Sequence, residues 1–398
     1  MSGPLAGVRI IDLTSVVMGP YATQVMGELG AEVIKIEAPD GDNTRHVGPM
    51  RNDGMGHLFL HLNRNKKSVV LDLKQPAGRE ALLRLAQQAD VLIYNVRPQA
   101  MTRLGLGYDD VAAANPRLIY VGTYGFSQQG PYAAKPAYDD LIQGMVGLPW
   151  LAQQAGAAEP RFVPVTLCDR IVGLHAAYAV TAALYHRERS GRGQAVEVPM
   201  FESMAHLVLG DHFGGETFEP PLGAAGYARV LAAHRKPYAT RDGYICVLIY
   251  NDKQWRNFFR LIGRDDIYRD DPRFASHGNR ARHIAEIYAF VAQQIGERTT
   301  AQWLQAFAEA DIPAAAMNSL DDLMHDPHFA ATGYIHLTEH PSEGTLRTTA
   351  VPTRWSDSPP PSQRPAPRLG EHGHEVLRSA GYTPDEIAAL CAASVTKI

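Results

Sequence analysis

Cysteine is scarce in this chain of 398 residues, where only Cys168, Cys246 and Cys391 are present. Three scattered cysteines exclude a disulfide framework and a cysteine-ligated zinc site. The formal net charge is −4 and there is no long basic run, which argues against nucleic acid as a partner. No apolar run reaches the roughly 20 uninterrupted residues of a membrane span, and MSGPLAGVRIIDLT at the start lacks the pattern of a signal peptide. We expect a protein of the reducing cytoplasm that does not bind a membrane.

Several motifs for nucleotide, ester and metal chemistry are also missing. No GxxxxGK[ST] phosphate loop occurs, and LGLGYDD at 104–110 lacks the third glycine and the preceding strand of a dinucleotide fingerprint. The GxSxG motif of an esterase is absent. His57 and His61 lie four residues apart without the glutamate of HExxH, and the acidic and histidine residues of 371–375 have no spaced partners. The sequence therefore predicts no metal site and no ATP-driven reaction.

What the chain does contain is an alternation of strand and helix patterns in its first half. Apolar runs such as VLIYNV are typical of strands covered on both faces. We predict a helix that follows a turn at Gly19-Pro20 and ends near Gly30, and a second helix over Ala77–Gln88. This alternation predicts a parallel sheet and a doubly wound, Rossmann-like α/β domain. The predicted strands are Val8–Leu13, Glu32–Glu37, Ser68–Leu73, Asp90–Val96 and Leu118–Tyr124.

The pattern changes after about residue 217, and the length of the chain predicts more than one domain. A strand over Tyr244–Tyr250 is followed by helical patterns, which together indicate a smaller α+β domain. The proline-rich segment 358–368 cannot form a helix or a central strand, so we predict an extended strap. Thr383 and Pro384 are predicted to begin a final helix. The helical patterns of the smaller domain are Asp252–Ile262, Arg282–Gln294 and Ala301–Glu309.

Asp169 is an isolated carboxylate directly before a nearly uncharged segment, Ile171–Tyr185. Apolar residues surround the whole circumference of this segment, which predicts a buried helix. A charge beside a core is costly unless it is satisfied or used. The local sequence favours a helix N-cap, in which the carboxylate accepts N–H groups of the first turn. The alternative is a nucleophilic carboxylate, and the local sequence alone leaves both open.

Four separated segments resemble the class III CoA-transferase family, which includes formyl-CoA transferase and carnitine CoA-transferase. The C-terminal sequence LGEHGHEVLRSAGYT is also similar to the family's ending. The resemblance spans nearly the whole chain and is strongest before Met200. The segments are PLAGVRIIDLT…GPYATQVMGELGAEVIKIEAP (4–39), NRNKKSVVLDLK (63–74), NPRLIYVGTYGFSQQGPYAAKPAYD (115–139) and the stretch from Asp169 to YHRERSGRGQAVEVPM (169–200).

The resemblance implies an architecture beyond what periodicity predicts. Residues 1–215 would form the first part of a large α/β CoA-binding domain, 216–330 a linker and the small α+β domain, and 331–398 a return to the large domain. Family members form a homodimer of two interlocked subunits, and we expect the same of this chain.

The resemblance also implies an activity and a site. Asp169 matches the catalytic aspartate, which attacks an acyl-CoA thioester and passes CoA to a small carboxylic acid through mixed-anhydride and aspartyl-CoA intermediates. CoA is then a substrate, and no cofactor is bound permanently. Asn95 is also expected at a ligand site because it ends a parallel strand. The implied CoA contacts are Val16, Leu71, Leu73, Lys74, Asn95, Val96, Arg97, Arg103, Lys135, Ala137 and Tyr138.

The chain departs from the family pattern at three places. Ala38 stands where an arginine is frequent, which removes one expected phosphate contact. There is no glycine-rich loop, only Gly223 and Gly226, and Val17 is apolar, which argues against formyl-CoA and oxalate as substrates. The basic triplet His234, Arg235 and Lys236 could bind a distal carboxylate, so our hypothesis is a dicarboxylic acceptor with succinyl-CoA as donor.

Two alternatives remain beside the transferase. The α-methylacyl-CoA racemases resemble this sequence and use an aspartate at the position of Asp169, with a histidine of a GHD motif as partner. Tyr138 stands at that histidine's position, and a phenol with a pKa near 10 is a poor base at neutral pH. The second alternative is a CoA-binding protein without turnover.

Overall fold

The structure is a computed structural model that describes residues 2–398. Its strands and helices alternate along the first 200 residues, as the sequence predicts. In chain order the strands are β1 (Arg9–Leu13), β2 (Glu32–Glu37), β3 (Lys66–Val70), β4 (Val91–Tyr94), β5 (Ile119–Tyr124), β6 (Ala195–Pro199), β7 (Tyr238–Ala239), β8 (Tyr244–Val247), β9 (Ala314–Ala316), β10 (Ile335–His340) and β11 (Gly344–Thr349).

The helices vary in length from single turns to the 24 residues of the longest one. Short 3₁₀ turns occur at Asn43–His46, Gly214–Thr217 and Pro272–Phe274. The α-helices are α1 (Met18–Glu28), α2 (His57–Leu62), α3 (Pro76–Ala86), α4 (Pro98–Arg103), α5 (Tyr108–Ala114), α6 (Asp139–Met145), α7 (Leu148–Gln154), α8 (Leu167–Ser190), α9 (Met200–His212), α10 (Ala228–Leu231), α11 (Asp252–Leu261), α12 (Asp265–Asp270), α13 (His277–Arg282), α14 (Ile284–Ile295), α15 (Thr300–Glu309), α16 (Leu320–Met324), α17 (Pro327–Thr332), α18 (Gly373–Ser379) and α19 (Pro384–Ala392).

A six-stranded parallel sheet forms the centre of the fold, in the order β3-β2-β1-β4-β5-β6. Ile11 pairs with Ile34 of β2 on one side and with Leu92 of β4 on the other. This is the order of a doubly wound dinucleotide-type fold, so the predicted α/β class is confirmed. Successive strands are added toward one edge of the sheet from β1 to β3 and toward the other edge from β4 to β6, so the strand order reverses between β1 and β4. In such folds, ligands bind outside the carboxyl ends of the strands at that point.

Three local predictions about this sheet were wrong. Gly19 and Pro20 do not form a turn but lie in the first turn of α1, where a proline needs no N–H partner. Strand β3 begins at Lys66, earlier than predicted, because the Lys66 ammonium pairs with Asp12 inside the core. Strand β6 was not predicted because its sequence AVEVP is short and mostly open to solvent.

The chain divides into two compact units. Unit 1 comprises residues 2–146, 163–206 and 328–398, and unit 2 comprises residues 147–162 and 207–327. Residues 147–162 and 207–215, which the sequence analysis places in the large domain, cluster with unit 2 in the structure. The reason is local packing, because α7 lies against α10 and a side chain at Gly156 would meet Ala233.

Unit 2 contains a small antiparallel sheet with the order β7-β8-β9, surrounded by helices. The helices predicted there are confirmed as α11, α14 and α15, and the strand predicted to reach Tyr250 ends at Val247. The core is largely aromatic. It includes Trp255, Phe258, Phe259, Trp303 and Phe307, all fully or nearly fully buried.

The C-terminal part of unit 1 packs on the edge of the large sheet. The predicted strap has no helix or strand at 358–368, and Arg364 exchanges hydrogen bonds with Asn65 through its backbone N–H (2.6 Å) and carbonyl (3.1 Å). The Thr396 hydroxyl donates to the carbonyl of Val70 at the end of β3 (2.7 Å). Helices α18 and α19 contribute side chains to the same hydrophobic core as the sheet.

Helix α8 is less buried than its sequence predicts. One face packs against α1 through residues such as Gly173 and Ala176. On the other face Leu174, Tyr178 and Tyr185 are exposed, the two tyrosines by more than half. Length and composition alone would let this helix cross a membrane, a test that core helices of soluble proteins also pass.

Candidate functional site

A cavity of about 460 Å³ opens at the carboxyl ends of the parallel strands in unit 1. Its walls come from the loops that follow β1, β4 and β5, with Asp169 of α8 among the lining residues. The loops after β1 and β4 flank the point where the strand order reverses. This cavity therefore occupies the position at which doubly wound folds bind their ligands.

The structure brings most of the predicted site residues to this one cavity. Leu71, Leu73 and Lys74 are not among them. They follow β3 at the edge of the sheet, where Leu71 is buried in the core and Lys74 faces solvent. The predicted residues that line the cavity are Val16, Asn95, Val96, Arg97, Arg103, Lys135, Ala137, Tyr138 and Asp169.

Asp169 does not cap its helix. Helix α8 begins at Leu167 with Thr166 at the N-cap position, which places Asp169 inside the first turn. The predicted N-cap was therefore wrong. Within residues 2–398 no hydrogen bond ends on the Asp169 carboxylate, while its backbone N–H donates to Oδ1 of Asp139 (2.9 Å). A carboxylate from α6 thus takes the capping role that the sequence assigned to Asp169 itself.

Asp139 is itself held in place from within the core. The Gln143 side chain donates to Asp139 Oδ2 (2.6 Å) and accepts the backbone N–H of Val163 (2.8 Å). Asp139 is 8% exposed and Gln143 is fully buried. The sequence analysis missed both residues. The signal that could have found Asp139 is the pair of acids in PAYDD, which opens a helix directly after a matched motif.

The environment of Asp169 favours a protonated carboxyl group. Burial, together with the negative charges of Asp139 and Asp140, raises the pKa of Asp169 from 3.8 to about 7, against the opposing effect of Arg170. Burial and the same acids raise the pKa of the neighbouring Cys168 thiol to about 12. Cys168 therefore stays a thiol at neutral pH, and Asp169 is the group in this turn that can act as a nucleophile.

Three cations line the cavity together with Asp169. Arg97, Arg103 and Lys135 are exposed, and none of them forms an ion pair with another residue of the described chain. Lys135 lies over the ring of Tyr132, with 3.8 Å between its Nζ and the ring centroid. Unpaired cations at the opening of a cavity can bind phosphate groups.

Asn95 and Ser15 fix the loop between β1 and α1. The Asn95 side chain accepts the backbone N–H of Ser15 (3.0 Å) and donates to its carbonyl (2.7 Å). Asn95 thus lies at the predicted strand end, with its amide engaged by the protein rather than free. The next residue, Val16, adopts a positive φ of 72°, which is unusual for a β-branched side chain.

Other lining residues were missed by the sequence analysis. Tyr124 is the last residue of β5, and Gly125 and Phe126 directly follow it, so the predicted end of that strand could have identified them. Met200 follows β6, which was not predicted, so no comparable signal existed. Tyr138 is 67% exposed. In the described part of the chain, residues 2–398, we find no cluster of three or more His, Cys, Asp or Glu residues suited to a metal ion.

Comparison with known proteins identifies the family of this chain. The model of CoA-transferase family III matches residues 5–373. The chain is 31% identical to the succinate–glutarate CoA-transferase of Agrobacterium fabrum, over 94% of this chain and 95% of that protein. It is also 31% identical to the formyl-CoA:oxalate CoA-transferase of Escherichia coli, over 98% and 99% of the two chains. A crystal structure of a CAIB/BAIF family protein from Brucella suis is similar, with a TM-score of 0.80, 30% identity and coverage of 96% of this chain and 100% of that one. The chain belongs to CoA-transferase family III.

Proposed function

We propose that this protein transfers CoA from an acyl-CoA to a small carboxylic acid, with Asp169 as the nucleophile. One observation carries the proposal. The Asp169 carboxylate lines the cavity without a hydrogen-bond partner among the described residues, and its pKa is raised to about 7. A carboxylate held out of water in this way is poorly solvated and therefore reactive toward a carbonyl carbon.

In the first half-reaction an Asp169 oxygen attacks the thioester carbonyl carbon. The new C–O bond forms as the C–S bond breaks, which gives a mixed anhydride and CoA thiolate. The thiolate sulfur then attacks the Asp169 carboxyl carbon of the anhydride. The donor acid leaves as a carboxylate with one oxygen taken from Asp169, and an aspartyl-CoA thioester remains.

The second half-reaction reverses these steps with another acid. The acceptor carboxylate attacks the aspartyl thioester and expels CoA thiolate, and the thiolate attacks the acceptor carbonyl carbon of the new anhydride. The products are the acceptor's CoA thioester and free Asp169. Each step exchanges one acyl bond for another, so no ATP, metal ion or redox cofactor is consumed, and we propose that none is held permanently.

The first turn of α8 supports the charged intermediates. Negative charge develops on the carbonyl oxygens of both tetrahedral species, close to the N-terminus of this helix. Its first turn carries a partial positive charge, and the N–H of Cys168 has no backbone acceptor among the described residues, whereas the N–H groups of Leu167 and Asp169 donate to Val165 and Asp139. The hydrogen bond from the N–H of Asp169 to Asp139 keeps that turn in a fixed position relative to α6.

CoA binds in this proposal with its phosphates toward Arg97, Arg103 and Lys135. Val16, Asn95, Val96, Ala137 and Tyr138 would contact the rest of the molecule, because they line the same cavity. Leu71, Leu73 and Lys74 lie outside the cavity and are not among the CoA contacts that we propose. The absence of ion pairs at the three cations supports it, since their charges are available to a ligand.

The acceptor we propose is a dicarboxylic acid, with succinyl-CoA as donor. The relatives named above act on succinate and glutarate in one case and on oxalate in the other. The missing glycine-rich loop disfavours formyl-CoA and oxalate. In unit 2, Arg235 and Lys236 of the basic triplet are exposed and make no ion pair with a described residue.

An acceptor panel tests this substrate class. Succinate and glutarate, each compared with the monocarboxylate of the same chain length, should become CoA thioesters that mass spectrometry detects. Turnover of the monocarboxylates alone would contradict the dicarboxylate proposal and leave the transferase mechanism intact.

We also propose a homodimer, interlocked as in the family that the sequence resembles. The exposed face of α8 supports self-association, because Leu174, Tyr178 and Tyr185 recur at helical spacing on one side. Light scattering after size-exclusion chromatography should give the mass of two chains. Tyr178→Lys should lower this mass, and a wild-type mass of one chain would contradict the dimer.

We propose the reducing cytoplasm as the location of the protein, which the free cysteines Cys168, Cys246 and Cys391 support.

The nucleophile is tested by chemical trapping. Wild-type protein incubated with acyl-CoA and then hydroxylamine should acquire a hydroxamate on Asp169, located by peptide mass spectrometry. Asp169→Ala should lose both the modification and CoA transfer. Asp109→Ala, which removes an exposed acid away from the cavity, is the matched control and should keep both. Full transfer by Asp169→Ala would overturn the assignment.

The racemase remains the second candidate because a carboxyl pKa near 7 also suits a general base. The exposed phenol of Tyr138 stands where that chemistry needs a second base. Exchange of the α-hydrogen of a 2-methylacyl-CoA with deuterated water, without acyl transfer, would favour the racemase. Binding of CoA with neither reaction would favour a binding protein.

A further inference from the structure

Val16 occupies a strained conformation beside the cavity. Its φ of 72° lies in the left-handed region, which is unfavourable for a residue branched at Cβ. Such a conformation persists only where its surroundings impose it, and it concentrates at functional sites. Val16 is the middle of the loop that leads from β1 to α1, and residues Ser15 to Met18 of this loop all line the cavity with Asp169.

A buried ion pair holds both sides of this strained residue. The Lys35 ammonium donates to the carbonyl of Thr14 (2.7 Å) and to Oδ2 of Asp42 (2.9 Å). The other Asp42 oxygen, Oδ1, accepts the backbone N–H of Val16 (3.2 Å). The side chains of Lys35 and Asp42 are each 1% exposed, and neither lines the cavity. They can affect a bound substrate only through the loop.

The pair is more elaborate than one loop needs for stability. The backbone N–H of Asp42 donates to Oε2 of Glu37 (3.0 Å). Oδ1 of Asp42 accepts the backbone N–H and the hydroxyl of Thr44 (2.9 and 2.8 Å). A second buried pair, Lys66 with Asp12, lies next to it. Burying charges is costly, and a buried ion pair is weak evidence for stability by itself. The free-energy cost of burying these charges is explained if the ion pair fixes the conformation of the loop around Val16.

The loop around Val16 sets the position of the first turn of α1. The backbone N–H groups of Val17, Met18 and Gly19 have no acceptor among the described residues, as expected for the first turn of a helix. The same turn touches α8, because a side chain at Gly173 would come within 2.8 Å of the Met18 carbonyl. Asp169 lies one turn before Gly173. The conformation of Val16 therefore determines where unpaired donors lie relative to the nucleophile.

We infer that Lys35 and Asp42 are positioning residues for acyl transfer, which hold Val16 in its left-handed conformation so that the N–H groups of Val17 and Met18 face the oxyanion formed at Asp169. This inference rests on the proposed function. It assigns the strained loop to the stabilisation of the transition state, where preorganised donors contribute most. A displacement of such groups by about 1 Å can lower a rate by about a hundredfold.

The test removes both charges together, so that neither is left buried and unpaired. In Lys35→Met/Asp42→Leu, which also removes the oxygen that accepts the N–H of Val16, the single-turnover rate of aspartyl-CoA formation at saturating acyl-CoA should fall by about ten- to a hundredfold. The dissociation constant for CoA, measured by calorimetry, should change much less. Adding Val16→Gly should restore part of the rate, because glycine adopts a positive φ without cost and needs no clamp.

Asp90→Asn is the matched control. Asp90 also pairs with a buried cation, Arg187 (2.8 Å), but it precedes β4 and so lies at the opposite end of the sheet from the cavity. This variant should lower the melting temperature without changing the single-turnover rate of folded protein. An unchanged rate in Lys35→Met/Asp42→Leu, or a loss that Val16→Gly does not relieve at all, would overturn the inference.

A second readout does not depend on activity. Hydrogen exchange measured by mass spectrometry should be faster in the peptide covering 14–20 of Lys35→Met/Asp42→Leu than in wild type, and Asp90→Asn should leave that peptide unchanged. If wild type forms no aspartyl-CoA, the proposed function fails, and this exchange result still decides whether the ion pair holds the loop. Equal exchange in all variants would show that it does not.

Discussion

The backbone N–H of Asp169 donates a hydrogen bond to the carboxylate of Asp139, 2.9 Å away and 30 residues earlier in the chain. The bond places two acids next to each other in a partly buried site. Asp139 fixes the turn that carries Asp169, and its charge also raises the pKa of Asp169, after the larger effect of burial. One residue thus sets both the position and the protonation of the proposed nucleophile.

We expect the acyl-CoA half-reaction to depend on the ionisation of Asp169. Because only the carboxylate attacks the thioester, kcat/KM should fall as the pH drops through about 7, the pKa of Asp169. Asp139→Asn keeps an oxygen acceptor for the N–H of Asp169 but removes the neighbouring charge. The acidic limb of the pH profile should therefore move to lower pH, whereas Asp109→Asn should leave it in place. A shift to higher pH in Asp139→Asn would contradict this account.

Asp169 should also make the fold less stable at alkaline pH. Its pKa is raised from 3.8 to about 7 in the folded state, so between these values the folded state binds more protons than the unfolded chain. Stability is then lost as the pH rises from about 4 to about 7. Asp169→Asn should raise the free energy of unfolding by about 2–4 kcal/mol at pH 8 and by much less near pH 4. Urea unfolding at both pH values measures this, and an equal effect at the two would exclude the linkage.

Gly173 should not tolerate a side chain. A Cβ there would lie 2.8 Å from the carbonyl of Met18 and 3.1 Å from the Tyr21 ring, which would force α1 and α8 apart. Gly173→Ala should lower the free energy of unfolding by about 1–3 kcal/mol, as overpacking does, and slow the trapping of Asp169. Gly144→Ala is the control, because this helical glycine has open space around it and alanine should stabilise it by up to about 1 kcal/mol. Equal effects of the two substitutions in chemical unfolding would argue against close packing at Gly173.

The cations of the cavity should act on CoA affinity rather than on chemistry. Arg103→Gln and Lys135→Gln each remove one unpaired charge, and each should raise the KM for acyl-CoA by about three- to tenfold with little change in kcat. The effect should shrink at high salt because exposed charges are screened. Arg256→Gln, an exposed cation of unit 2, serves as the control. A loss confined to kcat would place these residues in the chemical step instead.

The sequence predicted β4 and β5 well because these strands are almost entirely buried and contain no charged residue. It failed where a polar residue is satisfied by a distant partner. Lys66 begins β3 in the core only because Asp12 neutralises it there. Strand β6 is short and has the charged Glu197 at its centre, and its pairing with β5 identifies it in the folded chain.

The predictions about the site also divide into correct and wrong ones. Asp169 and its neighbours in the cavity were predicted from the resemblance to a family, and Asn95 alone also followed from its place at the end of a parallel strand. Its local role was predicted wrongly, since Thr166 takes the N-cap position and Asp139 supplies the acceptor. No pattern in the sequence connects residues 30 apart in this way. The contacts that connect Asp139, Lys35 and Asp42 with the site exist only in the folded chain.

The division of unit 1 into three segments has a consequence for how the protein is made. The edge of its sheet is completed by residues such as Arg364 and Thr396, which the ribosome adds only after all of unit 2. Since domains fold as units during synthesis, unit 2 can finish folding while β3 still has an uncovered edge. The large sheet of unit 1 would then be completed only after the last part of the chain has been synthesised. A ribosome stalled before residue 360 should therefore display a protease-resistant unit 2 and a unit 1 that is still open to cleavage.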